Sequence, residues 1–158
     1  EQMAKTFKNL TLNNKNLLLY IITSNNLDNI NEVFTGEGLE GKYIVRGRIE
    51  YEEISDHLSA ADLGLLFIPP FSSQLYRCPI KTANYLACGL PYFITPNIGD
   101  DSKLAEELNI GILLKENKNL EIQKILDKLE TSKESLRNHV IGLRDIQLVI
   151  NFLKLSLE

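Results

Sequence analysis

The residues best suited to do chemistry sit in one short stretch, "RCPIKTANYLACGLP" at 77–91. Pro79 is a favoured opening residue for a helix, because its missing amide proton has no partner to lose there. The next amides, of Ile80, Lys81 and Thr82, then lack acceptors within the helix and point outward. Together with the positive end of the helix dipole they form an anion site. Lys81 brings a full positive charge to that point. A cation in the first turn opposes the dipole of the isolated helix, and a bound phosphate reverses the sign of that penalty. Asn84 follows Lys81 by one helical turn and shares its face, so one side chain could hold a phosphate while the other reaches a hydroxyl. Arg77 lies just before the helix and could assist. The plain alternative is that Lys81 points into water.

The elements that must position this stretch alternate along the chain. Residues 1–10 carry Met3, Phe7 and Leu10 at helical spacing. "NLLLYIIT" (16–23) is an apolar run of strand length, residues 27–35 permit a short helix, and "KYIVRG" (42–47) is a strand. "YEEISDHLSAA" (51–61) predicts a helix with Ile54, Leu58 and Ala61 on one face. "DLGLLFIP" (62–69) predicts a strand that stops at Pro69 and Pro70. After a turn-rich loop come a helix over 79–88, a strand over 91–96, a helix over 101–109, a strand over 110–115 and a helix over 119–130. The strands are continuous apolar runs, as expected when both sheet faces are covered. The alternation predicts an α/β fold, a Rossmann-like doubly wound parallel sheet with helices on both faces. In such a sheet ligands bind beyond the carboxyl ends of the strands, where the helix starting near residue 80 follows the strand 62–69.

Composition narrows the function. The chain has 158 residues, 44% hydrophobic and 24% charged, with a formal net charge of −4. That charge supplies no broad basic field for nucleic acid or an anionic membrane, so an anion must be captured locally. Cys78 and Cys88 are too few for a disulfide framework, and His57 and His139 stand too far apart in sequence to suggest zinc. Reduced cysteines and a cytoplasmic setting are the expectation. No apolar run reaches the roughly 18 residues of a membrane span. Asp100 and Asp101 could tempt a magnesium reading, but acidic residues at a helix start read better as caps.

"GEGLEG" (36–41) matches the dinucleotide-binding pattern by letter. That pattern needs a strand before it and a helix after it, and here the order is reversed. Glu37 and Glu40 would also repel phosphate, so the stretch reads as a connection into a strand.

Residues 143–157 put Ile146, Val149, Ile150, Leu153 and Leu157 on one helical stripe, which Leu148, Phe152 and Leu155 widen. The domain reading is therefore 1–142 for the α/β body and 143–158 for a C-terminal amphipathic helix. That helix packs on the body or on a missing domain or second chain.

The string "SAADLGLLFIPP…CPIKTANYLACGLPYFITPNIGDDSKLAEELNIGILL" resembles the nucleotide-sugar-binding, C-terminal half of family-4 retaining glycosyltransferases, which have the GT-B fold. The match runs from about residue 42 to 114, with "PIK…YLACGLP" as its most specific part. The resemblance implies transfer of a sugar from a nucleotide diphosphate sugar to a hydroxyl acceptor with retention, in polysaccharide or lipopolysaccharide synthesis. It places the diphosphate against Cys78, Pro79, Ile80 and Lys81, the base near Gly47 and Arg48, and the ribose at Asn84. It implies no metal and no cofactor, the nucleotide sugar being a substrate. The partners implied are that substrate and a missing N-terminal acceptor-binding domain, with peripheral membrane association through the missing half and localisation at the inner face of the membrane.

Two departures stand out. Many members carry a pair of glutamates bracketing "PIK", and here those positions are Tyr76 and Asn84. Asn84 offers a neutral acceptor and donor where a carboxylate offers a charge-assisted bond. The family's first, central strand is also missing, so the sheet is expected to expose inward edges and the parent protein to be longer. A catalytically degenerate nucleotide- or partner-binding module of the same fold is the alternative. A phosphoacceptor receiver is disfavoured, since the strand 62–69 ends in proline and the strand 42–47 in Arg46 and Gly47 rather than aspartate.

Overall fold

The computed structural model describes residues 1–69, 71–114, 122, 127 and 134–138. The expected helices over 119–130 and 143–157 therefore fall largely or wholly outside the described residues. The chain divides into two compact units, Glu1–Ile54 with Lys115–Lys128, and Ser55–Leu114 with Leu129–Glu158.

The first unit runs α1 (Gln2–Asn13), β1 (Leu19–Ile22), α2 (Leu27–Gly36) and β2 (Tyr43–Arg46). β1 and β2 pair in parallel, with Leu19 opposite Tyr43 and Ile22 opposite Arg46. Asn26 caps α2, its side-chain oxygen accepting from the amides of Asp28 and Asn29. Ala4 and Phe7 of α1 and Phe34 of α2 pack with Leu39 into a core that covers the inward side chains Leu19, Ile21 and Tyr43. The alternate residues do not fit the expectation of strands buried on both faces: Tyr20 is 38% and Ile44 49% exposed. Among the described residues the core formed by α1 and α2 covers one side of this sheet, and on the other Tyr20, Ile44 and Arg46 are exposed and Ile22 half-buried.

The letters of "GEGLEG" have a local explanation. Gly38 takes φ 73°, its amide donates to Thr35 O (2.8 Å), and the Leu39 amide reaches back to Phe34 O (3.1 Å). This pair of bonds around a left-handed glycine ends α2 and turns the chain toward β2.

The first unit closes with a 3₁₀ turn at Tyr51–Glu53, and α3 (Ile54–Ser59) carries the chain into the second unit. Then come β3 (Gly64–Leu66), a 3₁₀ turn at Ser72–Tyr76, α4 (Ile80–Ala87), β4 (Tyr92–Ile94), α5 (Asp101–Glu107) and β5 (Gly111–Leu113). The sheet order is β3–β4–β5, all parallel. β4 is buried at every residue, as its unbroken apolar sequence predicts. Leu66, Leu86, Tyr92, Ile94, Ile98, Ala105, Ile110 and Leu136 form the core of this unit. Gly64 permits α4 to approach β3 closely, because a Cβ there would lie 2.6 Å from the Tyr85 ring. α4 ends at Gly89 (φ 69°), with the Leu90 amide bonded to Tyr85 O and the Arg137 Nε to Ala87 O.

The strands thus fall into two parallel sheets flanked by helices. Among the described residues β1 pairs only with β2, and β3 only with β4, so each sheet carries an unpaired edge there.

Candidate functional site

The candidate site lies at the carboxyl end of the β3–β4–β5 sheet. The chain leaves β3 and forms the loop that holds Phe71 through Pro79. It leaves β4 and forms a shorter loop from Thr95 to Asp100. Both loops are needed to understand where α4 begins.

Pro79 is the N-cap of α4, with extended backbone (φ −69°, ψ 124°), so the helix starts one residue later than the sequence reading had it. The amides of Ile80 and Lys81 find no hydrogen-bond acceptor among the described residues. The Thr82 amide differs from expectation. It donates to Pro79 O at 3.3 Å, so it is satisfied within the first turn and is not free for a ligand. Lys81 is exposed and its ammonium makes no ion pair among the described residues. Asn84 is half-buried one turn further on.

The start of α4 is held from beneath. Thr82 is fully buried and Asp101 is 6% exposed. The Thr82 hydroxyl lies 2.7 Å from Pro79 O and 2.8 Å from Asp101 Oδ1, sharing its proton between them. The Tyr92 hydroxyl donates to Asp101 O at 3.2 Å. The expected capping role of Asp100 and Asp101 is not what the structure shows. Asp100 occupies the N-cap position of α5 but makes no side-chain cap bond. The Ser102 hydroxyl instead accepts from the Ile98 amide (3.1 Å), and Asp101 turns inward to Thr82. A buried hydroxyl on the neighbouring helix is a better partner for a carboxylate than an exposed amide that water can serve.

The two loops are also tied to each other. The Ile68 amide donates to Thr95 Oγ1 (3.0 Å) in the interior, and the Gly99 amide to Gln74 O (3.0 Å). Gly99 has φ 46°, and a Cβ on it would stand 2.0 Å from Arg77 O. Only glycine fits that contact. Arg77 is turned back along its own loop, donating from Nη1 to Gln74 Oε1 at 2.9 Å. Tyr76 is 91% exposed, and Cys78 is an exposed free thiol, Cys88 a free half-buried one. Behind the site, burial pushes the Tyr85 hydroxyl above the usual tyrosine range while it donates to Leu65 O.

Of the residues singled out from sequence, the run from Tyr76 to Asn84 occupies this loop and helix start. Gly47 and Arg48 follow β2 in the other unit, Arg48 exposed and Gly47 half-buried. Sequence reading missed the support, namely Thr82, Asp101 and Gly99. It also missed a cavity of about 250 Å³ lined by Phe71, Ser72, Leu75, Pro96 and Asn97. The turn-forming letters "NIGD" at 97–100 were the available signal, since they follow a strand at its ligand-facing end. Among the described residues no group of His, Cys, Asp and Glu side chains is placed to hold a metal ion, and no helix is long and apolar enough to cross a membrane.

Comparison with solved structures gives this arrangement a relative. The chain superposes on the crystal structure of WaaG, a glycosyltransferase involved in lipopolysaccharide biosynthesis, with a TM-score of 0.65 and 17% sequence identity. The fold is that of a Rossmann-like GT-B half. The similarity covers 88% of this chain, which spans 38% of the length of the WaaG chain. No family model matches the sequence, and no curated protein matches it.

Proposed function

We propose that the chain is the donor-binding half of a glycosyltransferase. It would serve transfer of a sugar from a nucleotide diphosphate sugar to a hydroxyl acceptor with retained configuration, in polysaccharide or lipopolysaccharide assembly. One observation carries the reading: α4 opens at the carboxyl end of a parallel sheet with the Ile80 and Lys81 amides unused and the Lys81 ammonium unpaired among the described residues. The GT-B likeness and the "PIK…YLACGLP" string support it.

In the reaction, negative charge grows on the leaving diphosphate as the bond from sugar to oxygen breaks. Donors already aimed at that charge lower the barrier, since they need no reorganisation as it forms. The Ile80 and Lys81 amides, the α4 dipole and the Lys81 ammonium are such donors. Asn84, on the same face of α4, would offer its amide to a ribose hydroxyl. Arg77 is bonded to Gln74, and would have to leave it to join the phosphates. The second half of the cleft, with the acceptor, would come from an N-terminal domain, through which peripheral membrane contact at the cytoplasmic face would also occur.

The test is titration of UDP, GDP and ADP into the protein, repeated with Lys81→Ala. The variant is expected to bind about 1–3 kcal/mol more weakly, the range from an ordinary hydrogen bond to one made with a charged group. Unchanged affinity removes Lys81 from the site, and no binding of any nucleotide refutes the donor role.

A second reading has its own observation. Tyr76 stands exposed, and Asn84 is neutral, where family-4 enzymes carry glutamates. That favours a module that binds the nucleotide without turnover, which an assay of sugar transfer by the full-length parent separates from an active enzyme.

A further inference from the structure

We propose that Gln74 is a positioning residue of the donor site: its neutral carboxamide holds the Arg77 guanidinium beside the start of α4 without cancelling its charge, and gives it up to the bound diphosphate. This rests on the donor-binding reading and adds to it how a second cation is kept available.

The meeting of the two side chains follows from the backbone. Gln74 lies in the 3₁₀ turn at Ser72–Tyr76 and Arg77 is its C-cap, the Arg77 amide donating to Gln74 O at 3.1 Å. Side chains three apart in such a turn lie one above the other. The Arg77 guanidinium accordingly donates from Nη1 to Gln74 Oε1 at 2.9 Å. Both backbones are fixed from the loop after β4. Gln74 O also accepts from the Gly99 amide at 3.0 Å, and Arg77 O stands so close to Gly99 that a Cβ there would lie 2.0 Å from it. Only side-chain torsions are left to change, so release of the guanidinium needs no movement of the loop.

Charge is the second argument. Between Asp62 and Asp100 the sequence holds no Asp or Glu, and Arg77 and Lys81 are its only charged residues. The whole chain has 21 acidic residues against 17 Lys and Arg, so this stretch departs from the rest in sign. Both cations are exposed, and neither makes an ion pair among the described residues. A carboxylate at position 74 would order Arg77 and neutralise it. A carboxamide orders it and leaves it charged. Bonds from a guanidinium to an ionised acceptor are about twice as strong as those to a neutral one, so a phosphate displaces Gln74. The planar fork of Arg77 suits two phosphate oxygens at once.

The test compares Gln74→Glu, which keeps the length and the acceptor but adds a charge, with Gln74→Met, which keeps the length and removes the acceptor. Both leave the backbone bonds of residue 74 in place. UDP, GDP, ADP and inorganic pyrophosphate are titrated into the chain and its variants, and the Arg77 Nε–H signal is followed by NMR. Gln74→Glu is expected to weaken binding by about five- to tenfold, the difference between a charged and a neutral partner for the guanidinium. Gln74→Met is expected to stay within about twofold of wild type, as for a surface change that removes no ligand contact. Arg77→Met is expected to weaken binding in the wild-type background and to add little to Gln74→Glu, because the arginine is already occupied there. The Arg77 signal should shift with ligand in wild type and much less in Gln74→Glu. Equal loss in the two Gln74 variants marks the residue as merely structural and overturns the inference. An Arg77→Met loss of the same size in both backgrounds shows that the added charge acts on the ligand directly, and also overturns it. If pyrophosphate gives the expected pattern while no nucleotide binds, the donor-binding reading falls and the role of Gln74 stands. If nucleotides bind equally to wild type and both Gln74 variants, or if none of the four ligands shifts the Arg77 signal, the role of Gln74 falls.

Discussion

Thr82→Val replaces the buried hydroxyl under the start of α4 with a methyl group of nearly the same shape. No large cavity forms, so the cost is almost wholly polar. The hydroxyl lies 2.8 Å from Asp101 Oδ1 and 2.7 Å from Pro79 O. Hydrogen bonds to charged groups contribute about 1.5–3 kcal/mol, and Asp101 is too buried for water to replace the donor freely. The expected loss is about 2 kcal/mol, which for a chain of this length lowers Tm by about 4–8 °C. Thr82→Ser keeps the hydroxyl and should cost clearly less. Urea unfolding of wild type, Thr82→Val, Asp101→Ala and the double variant measures the coupling. A coupling of at least about 0.5 kcal/mol is expected for directly bonded side chains. Additive effects, or a Thr82→Val variant within about 0.5 kcal/mol of wild type, would refute the claim that Asp101 holds α4 through Thr82.

Other perturbations probe the same neighbourhood. Gly99→Ala places a methyl group where Arg77 O now stands 2.0 Å away and keeps a positive φ. It should cost about 2 kcal/mol or more and loosen the loop after β3, seen as faster amide exchange from Gln74 to Lys81. The raised pKa of Tyr85 means the folded state holds that proton more tightly than the unfolded chain. Its contribution is present in full below about pH 10 and is lost as pH climbs from there through the folded value. Tyr85→Phe should cost about 1 kcal/mol at neutral pH and flatten that alkaline decline; an unchanged alkaline slope would acquit Tyr85. Asn84→Glu should tighten nucleoside binding if residue 84 meets a ribose, and a drop in melting temperature without tighter binding would mark it as structural.

How legible the protein was varies by element. The order of helices and parallel strands could be read because each apolar run was bounded by its own glycine, proline or asparagine. Pro79 and Gly89 bracket α4, and Asn26 and Gly38 bracket α2. Lys81 and Asn84 could be proposed because helical spacing alone puts them on one face. The local misreadings came from competition between partners. Thr82 was counted among free amides, yet Pro79 O takes its proton. Asp101 was read as a cap, yet a hydroxyl distant in sequence claims its carboxylate.

Among the described residues the sequence by itself determined which segments become helix and strand, and that a cation stands at a helix start after a buried strand. Those outcomes follow from nearest-neighbour sterics and periodic burial, which a linear string carries. Only the tertiary structure decided that Tyr20 and Ile44 stay exposed on one face of the β1–β2 pair, that Asp101 braces α4 through Thr82, and that Phe71 and Asn97 line one depression. Each depends on residues far apart in the chain being brought within a few ångströms, and no local propensity encodes that distance.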